Sequence, residues 1–313
     1  MRALRTAAIV ALPSLGLVGC AIAPAESEAP AGRRIVLVSV DGLRADALGE
    51  MPALSALRVR AQWTDSMLTV VPALTVPGHL SLFSGRDVTA LGVTTNSLDQ
   101  AAAIALMVNG ATSLFEWIGA AGGRTVAIIG GQLVPEHQLA TARSFFGLDE
   151  LHAAPESTRS IIDQAIDVAT SVDAPDLLFV HVSAVDAVGH LAGWIGSDGA
   201  LAPEYVATVR DVDAELARLI STIESSLATG EVVLAITADH GGGQGEGCAE
   251  GMPAVREHCT SEGGDRRIPY LLVGAVIAPG RLNGTPSITQ IAPTLANLLR
   301  VKTPSQVDRA LWF

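Results

Sequence analysis

The chain has almost no lysine. Lys302 is the single one among 20 basic residues, which face 32 acidic ones for a formal net charge of −12. A nucleic-acid duplex needs a basic footprint, so this charge balance excludes that class of partner. Aromatic residues make up only 4% of the chain, which argues against a binder that works by stacking. Cysteine is equally scarce, at Cys20, Cys248 and Cys259. What the chain does have is 49% hydrophobic residues over 313 positions, enough for the core of one large domain or two modest ones. Intrinsic disorder is thereby excluded, since disordered chains are poor in apolar residues.

The amino terminus reads as an address. Arg2 and Arg5 precede an apolar stretch from Ala7 to Val18. That stretch falls short of the ~20 residues a membrane span requires and has the form of a secretory signal. It ends in Leu17-Val18-Gly19-Cys20, which resembles the bacterial lipobox, whose cysteine is lipidated and becomes the new terminus. An ordinary cleaved signal with a chance cysteine is the alternative. The following segment, AIAPAESEAPAGR, has no periodicity and reads as a tether of up to ~40 Å when extended. The expected organisation is a signal over residues 1–19, a lipidated cysteine and tether over 20–33, and one domain over 34–313. The expected location is the bacterial cell envelope, exported and lipid-anchored, in the periplasm or on the outer surface. With Cys20 used in this way, Cys248 and Cys259 are left to form a disulfide, worth about 3 kcal/mol for a loop of this size. A thiolate ligand at Cys259 is the competing reading.

Apolar runs of strand length recur at Arg34–Val40, Thr125–Ile129, Leu177–Val182, Val232–Ile236 and Ile268–Val273. Near-continuous apolar strands suit a sheet buried on both faces, hence a mainly parallel one. Helical stretches lie between and after them at Thr112–Ala121, Pro203–Ser226 and Ala292–Leu299. The first ends in Gly122-Gly123, a stop signal. The alternation predicts an α/β fold, a mainly parallel central sheet with helices on both faces.

In such sheets the site lies beyond the carboxyl ends of the strands. Asp41 follows the first strand, Asp186 and His190 follow the third, and Asp239-His240 follow the fourth. His258 stands some way before the fifth. One acid at a strand end is commonly a cap or a satisfied core group. Three such ends, two also carrying histidine, point to a cation held by carboxylate and imidazole. Thr75 opens an apolar, helix-like run, PALTVPGHLSLFSG. It fits an N-cap, or a hydroxyl aimed at an anion or metal.

The ordered set VSVDGLRAD, PALTVPGHLSLFSG, Asp186-x-x-x-His190, TADHGG, IPYLLVG and SITQIAPTLANLL resembles the alkaline phosphatase superfamily. Within it, the nucleotide pyrophosphatase/phosphodiesterase-like branch is the most similar. The resemblance implies two Zn²⁺ ions, with other divalent ions possible. Asp41, Thr75, Asp239 and His240 would hold one ion, and Asp186, His190 and His258 the other. His258 is assigned by its place ten residues before Ile268, and Cys259 departs from the small residue usual after that histidine. The resemblance also implies a phosphothreonyl intermediate on Thr75 and a phosphate contact from Asn96. Asn96 also fits a plain turn residue. His79, His137, His152 and His181 match no motif and read as ordinary surface or core histidines.

Monoesterases of the superfamily with a threonine nucleophile often carry a Lys-x-Arg contact after the next strand. No Lys or Arg lies between Arg124 and Arg143, which leans toward diesters or pyrophosphates. A Cys or Ser that sulfatases need in place of Thr75 is lacking. The expected substrate is therefore a small phosphate ester. A phosphomonoesterase on the same site, or a degenerate binding lipoprotein, are the alternatives. Ala101–Asn109 is apolar and fits either a leaving-group pocket or a buried helix. Oligomeric state is not readable from these residues.

Overall fold

A computed structural model of the chain describes residues 32–311, except 100–101, 103–104, 107, 131–142, 144–145 and 154–156. The leader, the tether and Cys20 lie outside the described residues, as does His137.

The centre is an eight-stranded sheet. Its strands are β1 (Arg34–Val40), β2 (Ala61–Leu68), β3 (Thr125–Ile129), β4 (Glu150–Ala153), β5 (Leu177–Val182), β6 (Val232–Thr237), β7 (Arg267–Val273) and β8 (Gly280–Arg281). Their order is β4-β3-β5-β1-β6-β7-β2-β8. Pairings run parallel except β6–β7 and β7–β2. The mainly parallel α/β expectation holds, and all five predicted strands form.

Three strands escaped the sequence pattern. In β2 the polar residues Gln62, Thr64, Asp65 and Ser66 interrupt the apolar run, and the register shifts between Thr64 and Met67 where it pairs with β7. β4 is a four-residue edge strand without an apolar run, and β8 has two residues. Such strands owe their place to neighbours rather than to composition.

Helices cover both faces. One layer holds α1 (Pro52–Leu57), Thr158–Thr170, Ala184–Ala192 and the 27-residue Pro203–Thr229. The other holds Thr75–Ser84, Leu114–Ala120 and Ile291–Leu298. Leu114–Ala120 starts at a capping box in which Ser113 and Glu116 satisfy each other's backbone N–H groups. In Pro203–Thr229 the residues Val209, Val212, Leu216, Leu219 and Ile223 form one buried stripe, and Gly230 ends the helix with a left-handed φ of 77°. Among the described residues no helix is long and apolar enough to cross a membrane.

α1 has no side-chain cap of its own. Asp213, buried on Pro203–Thr229, supplies one from outside. Its Oδ2 and Oδ1 accept the N–H groups of Ala53 and Leu54 at 2.8 and 3.0 Å. Asp213→Ala strands two amide donors, and we expect it to lower the unfolding free energy by about 1–3 kcal/mol in denaturant titrations. A variant as stable as the parent would show that solvent reaches those amides.

Candidate active site

The strand order decides where the acids meet. β1 lies between β5 and β6, its parallel neighbours on either side. Adjacent strands are ~4.8 Å apart, so the residues just past these three ends are brought within about 10 Å. Those residues are Asp41, Asp186 and Asp239.

The turn after β1 is braced for this. Gly42 has φ +71°, and a Cβ there would come within 2.8 Å of the Asp186 backbone. The Gly42 carbonyl accepts the Trp194 indole N–H at 2.8 Å and the Tyr205 hydroxyl at 3.0 Å. Gly78, in the helix that Thr75 opens, leaves room for the Asp239 carbonyl, which a Cβ would approach to 2.7 Å.

Thr75 is the first residue of its helix rather than its cap. The cap position is Leu74, and no side chain caps that end. The Thr75 hydroxyl is therefore free of the capping role and lies 3.0 Å from His240 Nε2. Asn96, exposed on a loop, accepts the Val76 N–H through Oδ1 at 3.0 Å. Its amide is thereby fixed at the start of the same helix.

The ligand-type atoms converge in two overlapping groups, Asp186, His190 and His258, and Asp41, Asp186 and His240, each within 4.8 Å. In the first, the two Nε2 atoms of His190 and His258 are 3.2 Å apart, and Asp186 Oδ1 lies 3.5 and 3.7 Å from them. In the second, His240 Nε2 lies 3.1 Å from Asp41 Oδ1. Asp239 Oδ2 is also close to that nitrogen, at 3.3 Å. All seven residues proposed as ligands from the sequence thus lie together, with Asp186 facing both groups.

The protonation pattern shows what the groups are arranged for. His190, His240 and His258 each direct Nδ1 at a backbone carbonyl, those of Arg256, Gly241 and Ala73, at 2.7–2.8 Å. A carbonyl only accepts, so Nδ1 carries the proton, and each ring, once its Nε2 is deprotonated, presents that lone pair to the centre. Lone pairs then face lone pairs and carboxylates. Asp239 is fully buried, and both its oxygens lack a hydrogen-bond partner among the described residues, as does Asp186 Oδ1. Only a positive charge relieves such a cluster. An ion bound tetrahedrally with bonds of about 2.0–2.1 Å, as zinc is, would separate its ligand atoms by about 3.3 Å. The observed spacings match, so the residues present fit divalent ions.

The titration shifts express the same field. Burial, reinforced by the Asp41 charge, pushes Asp186 up to about 6 and raises Asp239 well above the carboxylate range. For His240, burial opposes the charged ring, but Asp239 and Asp41 outweigh it and push it up to about 10. Asp41 is held well below its ordinary value because bonds from His181 and His240 outweigh its burial. The imidazolium of His240 is the cluster's own substitute for a cation.

Two histidines read as ordinary belong to this site. His181, fully buried, donates Nε2–H to Asp41 Oδ2 at 3.0 Å, while Nδ1 lies 3.0 Å from the Gly130 carbonyl. His79 bonds the Thr75 carbonyl at 2.9 Å and the Ser39 hydroxyl at 3.1 Å, with Asp239 Oδ2 at 3.4 Å. Burial brings His79 down to about 3, so its ring is neutral. The available signal was a lone polar residue near the end of a buried apolar strand, as in VSV and VHV. His152 is the surface residue expected, bonded to Glu150 on the β4 edge.

The loop before β7 carries His258 and is closed by a disulfide between Cys248 and Cys259. The thiolate-ligand reading of Cys259 is thereby removed. Buried Asp265 gathers the backbone N–H groups of Gln244, Cys259 and Thr260. Ala73 N–H bonds the Cys259 carbonyl as His258 bonds that of Ala73, so this loop is tied to the one bearing Thr75. Ala102 and Leu106 pack with Val76 and Leu80 in a small apolar cluster, which favours the buried-helix reading for that segment. Of the stretch between Arg124 and Arg143, residues 131–142 lie outside the described residues.

Comparison with known proteins points one way. Residues 35–278 match the family described as type I phosphodiesterase / nucleotide pyrophosphatase. Ectonucleotide pyrophosphatase/phosphodiesterase 1 of Saccharomyces cerevisiae is 29% identical over 114 residues, 35% of this chain and 15% of that protein. Alkaline phosphatase PhoD of Zymomonas mobilis is 38% identical over 93 residues, 28% of this chain and 15% of its own length. The matched stretches thus span 15% of each of these curated relatives. Among solved structures, murine ectonucleotide pyrophosphatase/phosphodiesterase 5 in complex with AMP superposes with a TM-score of 0.65 at 15% identity, covering 90% of this chain and 97% of that one. The lipoteichoic acid synthase LtaP of Listeria monocytogenes gives 0.61 at 15% identity, covering 90% and 74%. At this identity the likeness establishes the fold.

Two outcomes test the geometry. Asp239→Asn should raise the melting temperature of the metal-free protein, by removing one of three crowded charges, and shrink the rise that added zinc produces. A fall in the metal-free melting temperature would contradict the crowding. His181→Ala should weaken metal binding about 10–100-fold in competition titrations with a chelating dye, through loss of the donor that orients Asp41. Unchanged affinity would assign His181 to packing alone.

Proposed function

The chain belongs to the type I phosphodiesterase / nucleotide pyrophosphatase family, and on that premise we propose that it is a metal-dependent hydrolase of small phosphoric diesters. Thr75 is the nucleophile. The observation that carries this reading is its hydroxyl, uncommitted to capping and 3.0 Å from His240 Nε2 inside the carboxylate–imidazole cluster.

Asp41, Asp239, His240 and Thr75 would hold one Zn²⁺, and Asp186, His190 and His258 a second. When bound, the ions would lower the cost of ionising the Thr75 hydroxyl and of negative charge on the leaving oxygen. The helix beginning at Thr75 fixes the direction of attack and turns its positive end toward the phosphate. Thr75 Oγ1 forms a bond to phosphorus as the bond to the leaving alcohol breaks, giving a phosphothreonine. Water then cleaves that ester and regenerates the hydroxyl. Asn96, fixed by its bond to Val76 N–H, has an amide NH₂ to offer a nonbridging oxygen. His79 holds the Thr75 carbonyl and so orients the nucleophile's own backbone.

One sequence feature supports a diester over a monoester. No Lys or Arg lies between Arg124 and Arg143 to meet the extra charge of a monoester dianion. The leader supports an exported protein anchored at the bacterial envelope through a lipid on Cys20.

With zinc-loaded protein and a panel of aryl phosphate diesters, monoesters and sulfates, diester turnover should dominate. Thr75→Ala should reduce it by about a thousandfold or more, and Thr75→Ser should keep a measurable part. Rapid quenching followed by peptide mass spectrometry should find phosphate on Thr75. Full activity in Thr75→Ala would remove it as nucleophile, and silence on the whole panel would return the site to a binding role.

A further inference from the structure

The last segment of the described chain builds a second charged feature, at the opposite end of the sheet. Residues 300–311 and Arg33 frame a groove of about 800 Å³. Arg33, Arg300 and Arg309 line it, and Asp308 is the one acid among the lining residues. Asp308 is engaged by the Thr289 hydroxyl. Lys302, the only lysine, is exposed two residues beyond Arg300.

These cations lack carboxylate partners among the described residues, as do Arg256 and Arg267 elsewhere. Eight arginines elsewhere are paired with carboxylates. Arg300, Lys302 and Arg309 are exposed and make no ion pair among the described residues. Among the described residues Arg33 bonds the carbonyls of Leu298 and Gly230 and makes no ion pair. Arg300 also occupies a left-handed conformation, φ 58°, where glycine would sit without strain.

Position gives the patch its meaning. Arg33 immediately precedes β1 and Gly230 lies two residues before β6, so the groove lies where these strands begin. Asp41 and Asp239 lie where the same strands end, ~23 Å away for a seven-residue strand. The segment read as a tether, with Cys20 at its head, runs directly into Gly32 and Arg33.

We propose that this groove docks on an anionic phospholipid surface, holding the protein with its active site turned away from the bilayer. The proposal goes beyond the hydrolase reading and rests on the tether reading of the leader. A net charge of −12 repels such a surface as a whole. Screening over ~8–10 Å lets the charges nearest the surface dominate, and around the groove Arg33, Arg300, Lys302 and Arg309 outnumber Asp308. The substrates served in this orientation are phosphate esters arriving from solution, not headgroups of the same bilayer.

The test uses the full chain with Cys20→Ala, so that no lipid contributes, and vesicles of phosphatidylglycerol or phosphatidylcholine. Arg2 and Arg5 of the leader add a preference for phosphatidylglycerol of their own, which is the same in the parent and in the groove variant, so the comparison of those two decides. Sedimentation should show a preference for phosphatidylglycerol that disappears in high salt. Combining Arg300→Ala, Lys302→Ala and Arg309→Ala should weaken that binding on the order of a hundredfold. Turnover of a soluble aryl phosphodiester, and the thermal melt, should be unchanged by the triple substitution. Equal binding to both lipids, or full binding by the triple variant, would overturn the proposal. So would saturable binding of inorganic phosphate without any vesicle preference, which would make the groove a small-anion pocket. If neither protein hydrolysed the diester, the hydrolase reading would fail while the vesicle comparison still stood.

Discussion

Three carboxylates gathered at one end of a sheet, two of them buried, set the terms for the rest of this molecule. Asp41, Asp186 and Asp239 come from three adjacent strand ends, and at least three of their oxygens find no hydrogen-bond partner among the described residues. Charges so placed raise one another's proton affinity and hold an imidazolium at His240. A protein that keeps such a cluster needs both a cation and a scaffold stiff enough to resist the repulsion.

The scaffold is visible in the surrounding bonds. Each of the three histidines proposed as ligands is fixed through Nδ1 to a backbone carbonyl, those of Arg256, Gly241 and Ala73. His181 ties Asp41 to the strand beside it, and Trp194 and Tyr205 hold the carbonyl of the next residue. The His258 loop, the farthest from any strand, has the most support. It has a disulfide, the buried Asp265, and reciprocal bonds with Ala73. That last pair joins the second group of ligands to the loop carrying Thr75, so nucleophile and cation sites are positioned as one unit.

The site's carboxylates lie where the strands end, together with the chemistry, and a small group of cations without ion pairs lies where β1 and β6 begin, beside the point where the tether enters. The acid excess that marks the whole chain is therefore unevenly distributed. Its parts that matter for function are three carboxylates at one pole and a small region of the opposite sign at the other.

The apolar runs identified β1, β3, β5, β6 and β7 because strands buried on both faces must be apolar along their length. Asp41, Asp186, Asp239 and their histidines were legible because each follows such a run, and their order along the chain carried the family resemblance. β2 and β4 were not legible, since a mixed or edge strand is specified by its neighbours. Nor were His79 and His181, whose importance depends on strand register. Ser39 pairs with His181 across β1 and β5, and only that alignment puts an imidazole against Asp41. Composition and local pattern determined the strands and the chemical groups at their ends. Tertiary structure alone decided that β1 lies between β5 and β6, that Thr75 begins a helix instead of capping it, and that three arginines meet at one groove. Those outcomes depend on contacts between residues far apart in the chain, which no local pattern encodes.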